Sequence, residues 1–205
     1  MKSIRDSFAF RSRGIVGILL LLPVGIAVIF SDPIVREDTP LDFTLDTLAW
    51  LLFGLYITFR LWATLYVGGR KDRVLQTEGP YSITRNPLYF GSFCFGLSTA
   101  FFLDSFSLAA ALAAIGFIYT HQVIKAEEGF LDSQFGDAFR EYCRRTPRIF
   151  PALSRYRSGE NFPINLRAMK TEMIRLWGAA LVPLSAEIIM YFRSSPRWPH
   201  WFHLP

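Results

Sequence analysis

Two cysteines among 205 residues, Cys94 inside an apolar run and Cys143 in a polar segment, are too few and too far apart for a disulfide framework or a cysteine metal motif. There is no internal repeat and no low-complexity tract. Charge is missing over long stretches. Gly14 to Phe30 carries none, Leu45 to Phe59 carries one acid, Asp46, Leu88 to Ile124 carries one acid, Asp104, and Leu176 to Phe192 carries only Glu187. With 51% hydrophobic and 16% aromatic residues, these runs exclude an ordinary soluble domain and point to a bilayer. A small-residue cleavage pattern is also lacking after Phe30, where Ser31, Asp32 and Pro33 follow, so the first run reads as an uncleaved helix rather than a signal peptide.

A helix needs about 20 largely apolar residues to cross the hydrocarbon. The run from Leu88 to Ile124 is too long for one span, since at about 1.5 Å per residue it would reach roughly 55 Å against a core of ~30 Å. Leu103, Asp104 and Ser105 break it into a hairpin of two short helices. The expected architecture is an all-α integral membrane bundle of about five transmembrane helices, over residues 14–30, 45–67, 88–103, 105–124 and 175–192, with a cytosolic cofactor-binding region.

Orientation follows from basic residues, which favour the cytosolic side. Lys2, Arg5, Arg11 and Arg13 precede span one; Arg70, Lys71, Arg73 and Arg85 follow span two; ten more lie between Lys125 and Arg175. The loop from Ser31 to Thr44 has Arg36 against Asp32, Glu37, Asp38 and Asp42, and the tail has Arg193 and Arg197. The N-terminus is therefore expected inside and the C-terminus outside. The net charge of +5 is explained by this topology, and nucleic acid is not expected as a partner. Arg60, eight residues before Gly68, is costly within span two, of order 2.5 to 3.5 kcal/mol near the bilayer centre. It either snorkels to the inner interface or meets an acidic substrate group entering from the lipid. Trp177, Trp198 and Trp201 read as interfacial anchors, and Ala152 to Arg175 as a surface connection.

Two polar segments, both expected in the cytosol, break the apolar pattern. In the first, Gln76 to Tyr89, Gly79 and Pro80 make a turn and Pro87 opens span three. Asn86 before it is pushed from helical geometry and suits a cap, leaving a helix terminus whose amides favour an anion. A capped helix start with no ligand is the plainer reading. The second, Lys125 to Pro151, opens with Glu127 and Glu128, which on a helix point about 100° apart. They form either a solvated helix end or a pair with one acid facing the bundle. Phe130, Leu131, Phe135, Phe139 and Tyr142 then repeat at helical spacing, interrupted at Gly136 and recapped by Asp137, as in a helix lying on the membrane. Arg144, Arg145 and Arg148 suit lipid head groups or an anionic substrate.

Taken together, the order and spacing of these segments resemble the isoprenylcysteine carboxyl methyltransferase family and its phospholipid methyltransferase relatives. The family pattern is Gly-Pro-Tyr, Arg-His-Pro-x-Tyr-x-Gly, a hydrophobic hairpin, Glu-Glu-x-x-Leu, Phe-Gly-x-x-Tyr-x-x-Tyr and Pro-Arg-x-x-Pro. The matching residues are Gly79, Pro80 and Tyr81; Arg85, Asn86, Pro87, Tyr89 and Gly91; Glu127, Glu128 and Leu131; Phe135, Gly136, Phe139 and Tyr142; and Pro147, Arg148 and Pro151. Asn86 stands where the family has histidine, so no titrating imidazole is available there, and Phe139 stands for a tyrosine.

The resemblance implies a methyltransferase core over residues 76–151, including the cytosolic segment 125–151, with S-adenosylmethionine as the methyl donor. It implies that Glu127 or Glu128 pairs with the cofactor's ammonium or ribose, that Asn86 and nearby amides meet its polar atoms, and that Tyr89 or Phe135 packs on adenine. Tyr81, Pro87, Leu131 and Tyr142 complete the expected cofactor set. Arg85, Lys125 or Arg148 would hold a charged acceptor, whereas an amine acceptor would need a base, for which Glu128 is the candidate. Expected partners are membrane lipids and a lipophilic or lipidated acceptor, namely an isoprenylcysteine-type carboxylate, a phospholipid amine or a thiol. The expected location is a prokaryotic inner membrane, and no metal is expected. Two other functions stay open, a reductase using reduced nicotinamide and a non-catalytic scaffold. Sterol reductases carry an acid after the Tyr-x-Gly glycine, where this chain has Ser92.

Overall fold

The computed structural model describes residues 22–35, 37–68, 74–159 and 164–202, with the side chains of 119 and 120 left aside. The first part of the span expected over 14–30, the basic residues Lys2, Arg5, Arg11, Arg13, Arg36, Arg70, Lys71 and Arg73, and Pro163 lie outside the described residues. The helices are α1 (22–29), α2 (Pro40–Val67), α3 (Pro80–Ile83), α4 (Pro87–Phe102), α5 (Phe106–Phe135), α6 (Asp137–Arg145) and α7 (Leu166–Arg193), with a 3₁₀ turn at Leu153–Arg155. Among the described residues there is no strand, only an isolated bridge between Ser31 and Phe202.

The chain is an all-α integral membrane protein. α2, α5 and α7 are each long and apolar enough to cross a bilayer, and α4 is a shorter apolar helix. At 16 residues α4 reaches about 24 Å, below the ~30 Å hydrocarbon core. Two helices run further than the hydropathy predicts. α5 continues past Ile124 to Phe135, because Lys, Ala, Glu, Leu and Gln favour helix and no proline intervenes. α7 starts at Leu166, so Glu172 and Arg175 lie on a helix and not in the surface connection expected there. The break between α5 and α6 is made by Gly136, at φ 53°, which precedes α6 as its cap residue; Asp137 is the first helical residue rather than the cap.

The chain forms two compact units. The first comprises residues up to Trp50, Gly96–Tyr119 and Val182 onward. Its polar centre is Arg193, 2% exposed, whose guanidinium donates to the carbonyls of Ser31 at 3.2 Å and Leu103 at 2.6 Å and to the Ser31 hydroxyl at 3.2 Å. Trp198 and Trp201, expected as free-standing anchors, both stack on Phe30, and the Trp198 indole donates to the Ile29 carbonyl at 2.9 Å. The α4–α5 turn is built on Asp104 at φ 45°, after which the Ser105 hydroxyl accepts the N–H of Leu108. The Asp104 carboxyl is buried and one of its oxygens lacks a hydrogen-bond partner.

The second unit, Leu51–Phe95 with Thr120–Leu181, carries both polar segments. Aromatic contacts join α2 to α4, with Phe59 edge-on to Phe90 at 4.7 Å and Tyr56 against Phe95 at 4.6 Å. Gly91 permits this approach, since a Cβ there would lie 3.4 Å from the Tyr56 carbonyl. The Nε of Arg60 on α2 donates to Glu172 of α7 at 2.5 Å.

Asp104 makes the hairpin turn sensitive to pH. Burial, and then the carboxylates of Asp42 and Asp46, push its carboxyl up to about 7, against the pull of Arg193. A carboxyl raised on folding stabilises while protonated. That contribution is complete below the ordinary aspartate range and is lost as pH rises through the folded value. The melting midpoint of detergent-solubilised protein is therefore expected to fall between about pH 5 and about pH 8. The Asp104→Asn variant, which tolerates the same left-handed backbone, is expected to flatten that slope; an unchanged slope would remove Asp104 as its source.

Candidate active site

The segment leading into α4 is folded against the segment that follows α6. Gly79, at φ 60°, begins α3 where any side chain would run into the ring of Tyr66. Its N–H bonds to the carbonyl of Arg157 at 2.8 Å. From there the two strings of residues are joined in order. Ala152 donates to the Ile83 carbonyl at 2.9 Å, the Thr84 hydroxyl donates to the Ile149 carbonyl at 2.8 Å, and Arg85 N–H donates to the Pro147 carbonyl at 2.9 Å. Asn86 completes the seam: its side-chain amide donates to the Arg148 carbonyl at 2.8 Å. On the other side, the Tyr142 hydroxyl of α6 donates to the Tyr81 carbonyl of α3 at 2.7 Å.

This seam corrects one expectation. The Asn86 side chain acts as a donor across the loops rather than as an acceptor for free helix amides. Pro87 has no N–H, and those of Tyr89 and Phe90 bond to the main-chain carbonyl of Asn86. The start of α4 thus offers an anion little beyond the N–H of Leu88.

A pocket of about 100 Å³ lies behind the seam, lined by Tyr81, Arg85, Asn86, Pro87, Leu88, Tyr89, Glu127, Glu128, Leu131, Phe139 and Tyr142. The structure therefore brings together nine of the residues singled out from the sequence. Arg148 joins them through Glu128, and Phe135 and Lys125 do not line the pocket. Lys125 is exposed on α5. Leu88 and Phe139 are lining residues that the motif reading left out of the cofactor set; burial of Phe139 beside Tyr142, three positions on, follows from the helical spacing.

Charge in the pocket is organised by one carboxylate. Glu128 forms an ion pair with Arg85, 2.9 Å from its Nη1, and accepts hydrogen bonds from Arg148 Nη2 at 2.8 Å and Arg148 Nε at 3.2 Å. All three side chains are less than a third exposed. Arg148 also reaches His121 at 3.4 Å, and Arg85 reaches the Cys143 sulfur at 2.7 Å, while the Arg85 Nε is buried without a partner. No local pattern marks His121 or Cys143, because their contacts depend on where the loops bring the arginines. Arg144 and Arg145 pair with Glu141 on the exposed face of α6 and do not line the pocket.

Burial, reinforced by the nearby carboxylate of Glu127, raises the Tyr81 phenol, and burial raises that of Tyr142. Both stay protonated at neutral pH and are not bases; the Tyr142 hydroxyl is a hydrogen-bond donor. Burial likewise raises the Cys143 thiol, against the opposing influence of Arg85, so this sulfur is not a ready nucleophile.

A family model described as phospholipid methyltransferase matches residues 47–138, which include every pocket residue except Phe139 and Tyr142. The cobalt-zinc-cadmium resistance protein CzcN of Cupriavidus metallidurans is 38% identical over 124 residues, 60% of this chain and 57% of that protein. The nickel-cobalt-cadmium resistance protein NccN of Alcaligenes xylosoxydans is 31% identical over 195 residues, 93% of this chain and 90% of that protein. A protein-S-isoprenylcysteine O-methyltransferase of Schizosaccharomyces pombe is 32% identical over 83 residues, 40% of this chain and 35% of the yeast protein. The chain thus matches little more than half of the first relative and nearly all of the second. No solved structure matches it.

Removing Glu128 leaves two facing guanidinium groups partly buried, whereas removing Arg148 leaves Glu128 with Arg85. Glu128→Gln is therefore expected to cost on the order of 2 kcal/mol and Arg148→Gln less, read as melting midpoints in detergent at fixed salt. The reverse ranking would show that Glu128 does not hold the loops.

Proposed function

We propose that this chain, which matches the phospholipid methyltransferase family model over residues 47–138, transfers a methyl group from S-adenosylmethionine to a lipophilic or lipidated acceptor at the inner leaflet. One observation carries the reading: Asn86, Glu127 and Glu128, from segments distant in sequence, line one pocket.

The residues present suit such a donor. A sulfonium, an α-ammonium, a ribose and an adenine call for carboxylate, amide and aromatic partners together. Glu127, Asn86 and the rings of Tyr81, Tyr89, Phe139 and Tyr142 supply them. The volume of about 100 Å³ is below the ~300–1,000 Å³ common for small-molecule sites, so the pocket grips one end of the donor. When bound, S-adenosylmethionine supplies an electrophilic methyl group. Glu127, which lines the pocket beside Tyr81, is the acid assigned to the ammonium in this reading. This assignment refines the choice between the twin acids that the sequence left open.

Methyl transfer needs no nucleophile from the protein, so positioning and exclusion of water carry the rate. The guanidinium groups of Arg85 and Arg148 suit an acceptor that arrives as an anion, a carboxylate or thiolate, while the carboxylate of Glu127 suits the cationic donor. An amine acceptor would need a base, and Glu128, held by two guanidinium groups, is poorly placed to be one. Lys125 is exposed and takes no part. The basic residues between Arg140 and Lys170 support a cytosolic placement of this unit, with the N-terminus inside.

The test is binding. Detergent-purified protein is expected to bind S-adenosylhomocysteine in calorimetry with micromolar or better affinity. Glu127→Ala and Asn86→Ala are each expected to weaken it by about tenfold or more, equivalent to ~1.4 kcal/mol. Membranes incubated with radiolabelled methyl donor are expected to yield a labelled lipid-extractable product. Folded protein that binds no adenosyl compound would end the proposal.

A further inference from the structure

A second Arg–Glu–Arg cluster lies in the same unit, outside the motifs that carry the family match. Glu172 of α7, 5% exposed, accepts from Arg60 Nε of α2 at 2.5 Å through one oxygen and from Arg175 at 3.4 Å through the other. Arg60 lies seven residues before Val67, the last residue of α2, which puts it roughly 10 Å from that end of the helix. A charged residue at such depth costs several kcal/mol unless paired, and a buried ion pair is rarely more stable than an apolar pair of the same shape. Stability alone therefore gives no reason for the cluster.

Its geometry is that of an incomplete pair. Glu172 neutralises one guanidinium, and the cluster as a whole keeps one positive charge. Arg60 is held through Nε alone; among the described residues its two terminal nitrogens have no partner, and neither is buried. Its stem runs beside Gly91, where a Cβ would come within 3.5 Å of the Arg60 Cγ. Gly91 is two residues beyond Tyr89, a pocket residue, and the Arg60 charge reaches the pocket's Tyr81 phenol, opposing the influence of Glu127 there. A guanidinium with two free N–H edges is matched by a carboxylate or phosphate.

We propose that Arg60, oriented by Glu172, is a binding site for the anionic group of a lipophilic acceptor that enters from the bilayer, and that it selects anionic over neutral lipids. The word acceptor rests on the methyltransferase reading; the anion site itself does not. Arg60 is a specificity residue in this role, and Glu172 is a positioning residue acting through it.

The experiment uses full-length protein in phosphatidylcholine nanodiscs and two matched pairs of probes. N-acetyl-S-farnesylcysteine is compared with its methyl ester, and phosphatidate with diacylglycerol, by native mass spectrometry. The wild type is expected to prefer at least one anion over its neutral partner by about tenfold or more. The pair that shows the preference tells carboxylate from phosphate. Arg60→Gln is expected to abolish the preference and Arg60→Lys to retain much of it. The double variant Arg60→Met with Glu172→Met, which leaves no lone buried carboxylate, is also expected to abolish it. S-adenosylhomocysteine affinity reports on folding and is expected to stay within about twofold in all of them. Equal binding of acid and ester by the wild type, or a preference that survives in both Arg60→Gln and the double variant, would overturn the site. Absence of adenosyl binding in the wild type would instead overturn the methyltransferase reading and leave the anion preference to be read separately.

Discussion

Glu128 lies between the guanidinium groups of Arg85 and Arg148, and this bridge depends on the hydrogen-bonded seam beside it. The chain reaches Arg85 before the α4–α5 hairpin and Arg148 after α6. Without the bonds from residues 83–86 to residues 147–152, those arginines would belong to two independent loops. With them, the end of α5, the start of α4 and the face of α6 close around one pocket. Backbone groups make most of the seam, so it fixes loop position without demanding particular side chains. The side chains that do take part, Thr84 and Asn86, are short and polar, and each satisfies a carbonyl that would otherwise be stranded.

Lipid gives apolar side chains no reason to leave it, so the contacts that specify how α2 meets its neighbours are steric and polar. In the pocket-bearing unit, Gly91 allows α4 close to α2, and Arg60 ties α2 to Glu172 of α7. In the other unit, Arg193 gathers carbonyls from the loop after α1 and from the α4–α5 turn. Each unit thus has a buried arginine at a helix contact. The arrangements differ in one respect: Arg193 spends its N–H groups on neutral carbonyls and a hydroxyl, whereas Arg60 leaves two nitrogens available.

Much of this was legible in the sequence. Runs without charge marked the membrane helices, and Asp104 marked the hairpin, because apolar length and its interruption are local properties. The spacing of motifs from Gly79 to Pro151 pointed to the residues that line the pocket. Partner choice was not legible. Nothing local distinguishes Glu127 from Glu128, yet the loops direct two arginines to the latter. Arg60 could not be paired with Glu172, because the segment holding Glu172 read as polar surface; in fact it forms the first turns of α7, where good helix formers extend the apolar run. Asn86 was expected to cap by accepting and instead donates, a difference set by which carbonyl the opposite loop presents.

That last difference explains how asparagine serves where relatives of this pattern carry histidine. The position must supply an N–H to the Arg148 carbonyl while its own backbone starts α4 ahead of Pro87. An imidazole can do so from either ring nitrogen, but its donor count changes with protonation near neutral pH. An amide carries its donor at every pH and cannot take up charge. The seam in this chain is therefore independent of proton uptake at that position, and the only charges it brings to the pocket are those of Arg85, Arg148 and the carboxylates they face. A hydrogen-bond frame that does not titrate holds Arg85, Arg148 and Glu128 in place whatever the proton balance, which suits an acceptor whose own ionisation, rather than a base on the protein, makes it nucleophilic.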